Sequence, residues 1–245
     1  MTTAPGGGWT IERRVDTAGA LHGPWPAEGH RARRVAGLCS VVGLRAVVLG
    51  STQATDVVDA GRAASHDTDV VRRSAGGGAV LVAPGAQVWL DVWVPRTDPL
   101  WHDDVIASSW WLGEAWVRGL EGLGATGLRV HRGRALRTDW SDVLCFAGVG
   151  PGEVTAPTAK VVGIAQRRTR HGARLHSMAL VSWSPTALLE LLSIEAPGVP
   201  VTGDAPVELE DVATDLRHIL PAPWGHGDAA LVITAVEDAL LDALP

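Results

Sequence analysis

The hydrophobic and polar positions of the chain follow two periods. Short apolar runs rich in β-branched residues predict strands. The first is residues 45–50 (RAVVLG), closed by Gly50 and Ser51. DVVRRSAGGGAVLVAPG and VWLDVWVP then predict two strand-like runs around a glycine triplet, the second setting Val88, Leu90, Val92 and Val94 against Trp89, Asp91 and Trp93. Val161 to Ile164 and Met178 to Trp183 read as an antiparallel pair around the polar turn RRTRHGARLH. Helical spacing marks residues 105–124, where Ile106, Trp110, Trp116, Val117, Leu120 and Leu123 recur every three or four positions before Gly122 and Gly124. A second helix is expected over STQATDVVDAGRAA, a third over TALLELL with Ser184 as N-cap and Pro185 at the first helical position, and two more over DVATDLRHIL and DAALVITAVEDALLDAL. The segment before Gly37 has little periodicity and reads as irregular with a short helix. Residues 128–144 read as short strands and turns, leading into a Gly/Pro-rich loop, CFAGVGPGEVTAPTAK.

Composition narrows what these elements serve. A 245-residue chain that is 46% hydrophobic can bury a large core, and one domain is expected, with the Gly/Pro linker near Glu195 to Pro206 as the only plausible internal boundary. The net charge of -6 argues against a general nucleic-acid binder, which needs clustered basic residues. No apolar run is long enough for a membrane span and the N-terminus lacks a signal-peptide pattern, so a cytoplasmic protein with no membrane partner is expected. Two cysteines, Cys39 and Cys145, make neither a disulfide framework nor a zinc site, and no metal ligands are expected. Cys39 reads as core. Eleven Trp against one Phe and no Tyr place most of the aromatic bulk in indoles, read as core or groove wall.

Two stretches carry candidate chemistry. Lys160 is the only lysine among 21 Lys and Arg residues. A compact ammonium on a flexible stem differs from the planar guanidinium fork, so a lone lysine between apolar residues and glycine reads as a chemical group, against the alternative of chance codon usage. The other stretch is Arg72-Arg73-Ser74-Ala75-Gly76-Gly77-Gly78-Ala79-Val80. Each glycine costs a strand or helix interior about 0.5–1 kcal/mol. Three together suggest a backbone that something approaches closely, an anion-binding nest with an arginine fork beside it, against the alternative of a flexible hairpin loop. The P-loop spacing is absent, and no helix follows as in a dinucleotide fingerprint.

In order along the chain, RRSAGGGAV, then a lysine in AKVVGIAQRR, then LHSMAL resemble the catalytic domain of the lipoate-protein ligase and octanoyltransferase family, over about Val47 to Leu192. The resemblance implies an α/β (α+β) fold, a mainly antiparallel mixed sheet flanked by helices, related to the biotin-protein ligases. Those carry a more Arg-rich glycine loop, which favours lipoate or octanoate here. Residues 1–195 would form the catalytic domain, and 196–245 a linker and short helices packed on it. Carried over by motif, Arg73, Gly76, Gly77, Gly78, Ala79 and Val80 would line the acyl and phosphate end of the pocket. Lys160 would sit over the acyl carboxylate or carbonyl, Asp142 would be the acidic position ahead of it, Val162, Gly163 and Ala165 would form the strand beside it, and His176 would be the later histidine. Ala75 and Ser177 depart from the family's Ser and Gly.

The implied activity is ATP- and Mg²⁺-dependent attachment of lipoate or octanoate, through an acyl-adenylate, to a lysine of a lipoyl domain such as an E2 subunit or the glycine cleavage H protein. The usual ligase also has an accessory domain or a separate accessory subunit. Cys145, in LCFAG, supports an alternative: some octanoyltransferases of the family carry a nucleophilic cysteine in a Cys-Phe context, taking octanoyl from acyl carrier protein without ATP. Lys160 nearby would favour the thiolate and an oxyanion. A third alternative is a non-catalytic acyl-binding module. Arg167, Arg168, Arg170 and Arg174 form a basic cluster, read as a docking face for an acidic partner or as a solvated turn. His171 is expected to be exposed, and His176 to be a pocket wall or a satisfied core histidine.

Overall fold

Residues 2–3, 8–30, 32–193 and 207–245 are described in the computed structural model, so the Gly/Pro linker lies outside the described residues. The chain runs β1 (Thr2–Thr3), β2 (Trp9–Asp16), α1 (Ala18–His22), β3 (Arg34–Val41), β4 (Arg45–Leu49), α2 (Ala60–Ser65), β5 (Thr68–Arg72), β6 (Val80–Val82) and β7 (Gln87–Pro95). It continues through α3 (Trp110–Gly122), β8 (Arg129–Val130), β9 (Val154–Ala156), β10 (Ala159–Arg168) and β11 (Gly172–Leu180), and ends with α4 (Pro185–Leu189), α5 (Val207–Asp211), α6 (Leu216–Ile219) and α7 (Ala229–Ala243).

The β7 strand organises the fold. All nine of its residues are buried, because it pairs antiparallel with β3 on one side and β11 on the other and both faces are covered. Its alternation therefore sorts residues between two cores rather than between core and solvent. Val88, Leu90, Val92 and Val94 pack with Leu112, Trp116 and Leu120 of α3 and Val232, Val236 and Leu240 of α7. On the other face, Trp89 joins Leu21, Val48 and Phe146, and Trp93 joins Trp25. A Leu or Val buried this way contributes about 1.5–3 kcal/mol. The two helices meet closely at Gly119, where an added Cβ would lie 3.2 Å from the Ala239 carbonyl oxygen.

The large sheet has the order β1-β2-β3-β7-β11-β10-β9-β8, antiparallel except for the parallel β2–β3 pair, and a small sheet, β5-β4-β6, carries the glycine triplet. This is the expected mixed, mainly antiparallel α/β architecture. Several local expectations change. The segment before Gly37 is not irregular: β2 and the start of β3 lie there, hidden from periodicity because half-buried Arg and Glu alternate along β2. STQATDVVDAGRAA forms only a 3-10 turn at Thr55–Val57 and the short α2, capped by Asp59 accepting from the Arg62 N–H. The long helix starts at Trp110, after a 3-10 turn at Ala107–Ser109. Ser184 precedes α4 without a side-chain cap bond. RRTRHGARLH is mostly strand, since β10 and β11 run to Arg168 and from Gly172. DVATDLRHIL is helical only at its two ends, in α5 and α6. Among the described residues, no helix is long and apolar enough to cross a membrane.

Candidate active site

Lys160 reaches the site through a defect in the sheet. In the β9–β10 pair Lys160 lies opposite Thr155 and Val162 opposite Val154, so Val161 is an extra residue and the strand bulges. An unbroken strand would point Lys160 the same way as Val162. The bulge instead sends Val161 and Val162 into the core beneath α3 and turns Lys160 to the side of Gly163, where an added Cβ would lie 3.4 Å from Lys160 Cε. The Lys160 side chain is 1% exposed. Its Nζ donates to the carbonyl oxygens of Cys145 (2.8 Å) and Gly148 (3.1 Å), pairs with Glu153 Oε2 (2.8 Å), and stands 5.1 Å from the centre of the Phe146 ring. The lysine is fixed by the loop that precedes it. Its backbone is also tied to the C-terminal segment, with Lys160 N–H donating to Val212 and Thr214 N–H donating to Lys160.

The glycine triplet is shaped by close approach. Gly78 lies against Leu144 and Cys145, and an added Cβ would come within 2.5 Å of the Leu144 carbonyl carbon. Gly77 has φ +103, in the left-handed region that glycine tolerates. Arg73, 4% exposed, borders the cavity with its fork already engaged by the protein. It donates to the carbonyl oxygens of Val48 (3.2 Å), Gly76 (2.8 Å) and Gly78 (2.8 Å), holding the loop, with Nη2 3.9 Å from Cys145 Sγ. The expected anion fork is therefore a brace for the loop.

A charged network lies at the other end of the cavity. Asp91 is fully buried and accepts from Trp89 Nε1 (2.7 Å), His176 Nδ1 (2.7 Å), Arg14 (3.0 Å) and Arg174 (2.6 Å). Burial pushes the Asp91 carboxyl up, but His176 and then Arg174 outweigh it and hold it below the usual carboxylate range. Burial pulls Arg174 down, which Asp91 and then Glu28 outweigh, so its guanidinium is held more firmly charged than usual. His22, packed 4.5 Å from the Trp89 ring, has neither ring nitrogen partnered among the described residues; burial first, then His176, pushes it down to about 3.

These parts enclose a cavity of about 260 Å³. Of the residues expected at the site, Lys160, Cys145, Arg73, Gly76, Gly77, Gly78, Val80, Gly163, Ala165 and His176 line it. Three others do not. Ala79 is turned into the core beside Leu144, and Val162 into the core under α3. Asp142 stands outside, its carboxylate 81% exposed and paired with Arg137. The acidic residue that meets Lys160 is Glu153, and its sequence signal was an acid set in the Gly/Pro loop GVGPGEVT. His22 and Trp89 also line the cavity and were not expected there. His176 is a wall residue whose Nδ1 meets Asp91, while its buried Nε2 has no hydrogen-bond partner among the described residues, so it is not the satisfied core histidine of the alternative reading.

The basic cluster is mostly consumed by the fold. Arg174 is 1% exposed and bound to Asp91 and Glu28, Arg167 pairs with Glu28, and Arg168 lies over the Trp101 ring and donates to the His102 and Asp103 carbonyls. The docking face expected of these four arginines is reduced accordingly. His171 is half-buried rather than exposed. Cys39 is core, and burial pushes its thiol up.

Neither do the wall residues fit a protein-held Mg²⁺. Among the described residues, Glu153 is the only carboxylate on the cavity wall, and it is committed to Lys160 and to the Gly150 and Ile164 N–H groups. No cluster of three His, Cys, Asp or Glu stands ready for a metal among those residues.

Comparison with known proteins agrees with this architecture. A sequence profile of the Lipoyl protein ligase A/B catalytic domain matches residues 37–244. Among solved structures, a T. acidophilum protein with bound lipoic acid superposes with a TM-score of 0.62 at 17% identity, over 95% of this chain and 83% of that one. A structure of a bi-partite lipoate protein ligase and its E2 lipoyl domain from Thermoplasma acidophilum gives 0.63 at 17% identity, over 96% and 82%. Lipoate-protein ligase A bound with ATP gives 0.62 at 18%, over 95% and 83%. At these identities the superpositions establish the fold. No curated protein sequence matches. The profile match over most of the chain, on the fold it requires, identifies the protein as a member of the lipoyl protein ligase A/B catalytic domain family.

Proposed function

We propose that this protein attaches lipoate or octanoate in amide linkage to a lysine of a lipoyl domain in the cytoplasm, the cavity between Lys160, the glycine triplet and His176 being its acyl site. The observation that carries this reading is the buried Lys160 ammonium, fixed at the wall of a mainly apolar cavity. A preplaced cation in a water-poor site is the kind of group that stabilises charge developing on an acyl oxygen. Solved relatives described as lipoate ligases, one with an E2 lipoyl domain and one with ATP, make lipoate, ATP and a lipoyl-domain acceptor the first candidates to test. In the ligase route the acyl carboxylate attacks the α-phosphorus of ATP, pyrophosphate leaves, and the acceptor amine displaces AMP. The catalytic unit would include the C-terminal helices, because Val212 and Thr214 hold the Lys160 backbone and α7 packs in the main core, and a separate accessory subunit would be a further partner.

A second route is favoured by Cys145. Its side chain lines the cavity, its Sγ is 3.9 Å from Arg73, and its own carbonyl is bound to Lys160. Here the Cys145 sulfur attacks the thioester carbonyl of octanoyl acyl carrier protein, the carrier thiol leaves, and the acceptor lysine amine then takes the acyl group and returns the thiol. Two assays separate the routes. Incubation with octanoyl acyl carrier protein followed by intact mass gives an acyl adduct, absent in Cys145→Ser, if transfer is correct. Pyrophosphate exchange into ATP that depends on octanoate or lipoate supports the ligase. Acyl binding with neither signal leaves a non-catalytic module.

A further inference from the structure

The Lys160 ammonium has three N–H donors and three protein acceptors: the Cys145 and Gly148 carbonyls and Glu153. Glu153 is itself fixed. It is 5% exposed, its Oε1 accepts from the Ile164 N–H (3.0 Å), and its Oε2 accepts from the Gly150 N–H (2.5 Å) as well as from Lys160. The Ile164 contact has a topological cause. Since β9 begins at Val154, paired with Val162, the edge of β10 beyond that point has no strand partner among the described residues, and the side chain of the residue preceding β9 supplies the missing acceptor.

The cation on the cavity wall thus arrives already neutralised by a carboxylate in the same wall. A free acyl carboxylate brought to Nζ would meet Glu153 at short range in a poorly hydrated site, where like charges repel far more than in water. It would also have to displace one of the three acceptors, leaving that group buried without a partner. An uncharged carbonyl adds no such repulsion and can share a donor. Resting on the reading of this cavity as the acyl site, we propose that Glu153 is a positioning residue that sets the charge selectivity of that site. By clamping Lys160 against the loop carbonyls it makes the protein select acyl groups whose carbonyl is uncharged, thioesters above all, over free carboxylates.

Calorimetric titration of the full chain at neutral pH with octanoate, octanamide and S-octanoyl-N-acetylcysteamine tests this. Wild-type protein is expected to bind the two uncharged ligands about tenfold or more tighter than octanoate, and Glu153→Gln to raise octanoate affinity about tenfold while moving the others by less than about threefold. Octanoate binding to wild type as tightly as octanamide overturns the proposal, as does a substitution that shifts all three ligands alike, the result a merely structural role gives. Should Glu153→Gln fail to fold by circular dichroism, the wild-type ratio alone decides. If none of the three ligands binds wild type, the acyl-site reading falls and the selectivity proposal with it, a result distinct from ligands that bind without preference.

Discussion

Lys160, Glu153 and Asp91 show how single ionisable side chains are kept buried in this protein. Each is fully partnered: Lys160 by two carbonyls and a carboxylate, Asp91 by two arginines, a histidine and an indole. Leaving such a charge without its partner costs about 3–5 kcal/mol. His22 differs, with neither ring nitrogen partnered among the described residues and burial keeping it neutral. Its pKa falls from 6.5 in the unfolded chain to about 3, so between those values only the unfolded chain binds the proton, and stability drops as pH falls from 6.5 toward 3. Asp91 acts with the same sign at lower pH: its contribution is full above its ordinary 3.8 and is lost as pH falls below it. Urea unfolding between pH 7 and pH 4 should therefore show falling stability, by up to about 1.4 kcal/mol per pH unit for the one His22 proton. The slope should shrink in His22→Phe. A profile that is flat in wild type contradicts this. Lys160 stood out in the sequence because it has no fellow lysine. Glu153 did not, because one acid among many carries no mark until a strand beginning at Val154 leaves an N–H of β10 for it to meet.

Between elements, the site depends on backbone approach that only certain glycines allow. Gly76, Gly77 and Gly78 look alike in the sequence and do different work. Around Gly76 an added Cβ would meet nothing within 4 Å, whereas at Gly78 it would strike the Leu144 and Cys145 backbone at 2.5 to 2.8 Å. Gly78→Ala is expected to displace the Cys145 loop, lowering acyl transfer by about a hundredfold, roughly 2.7 kcal/mol of barrier, while Gly76→Ala stays within about threefold of wild type. Equal losses in both variants, measured by acylation rate, would contradict the assignment of the close contact to Gly78. The strand bearing Lys160 and the strand after the triplet were legible from their apolar runs, whereas the run from Met178 caught only the end of β11 and left His176 in the expected turn. The bulge at Val161 was not, because it comes from the register of a three-residue partner strand and leaves no local pattern. Likewise β2 was hidden, since a strand whose polar residues pair with distant groups, as Arg14 does with Asp91, does not alternate in hydrophobicity. Arg174 was misplaced for the same reason: an arginine's partners 83 positions away cannot be read from its neighbours.

At the scale of the molecule, a sheet buried on both faces divides the work. One face, under α3 and α7, is packed with aliphatic residues and Trp116. The other carries the cavity, walled by the small sheet's glycine loop, the Cys145 loop and the β10–β11 pair. The three ordered motifs carried the resemblance to the family, and it was that resemblance which implied this sheet and a pocket shared by the motifs. The family match over residues 37–244 accords with it. In the proposed function Lys160, as an ammonium and not merely as a charge, serves acyl transfer to a lipoyl domain. The most direct test of this role is intact mass of a lipoyl domain incubated with wild-type or Lys160→Arg protein, supplied with octanoyl acyl carrier protein or with octanoate and ATP. An octanoyl amide on the domain's lysine is expected with wild type, and at least a hundredfold slower formation with Lys160→Arg, about 2.7 kcal/mol of lost stabilisation. Full activity in Lys160→Arg, or no mass gain with wild type from either donor, would contradict it.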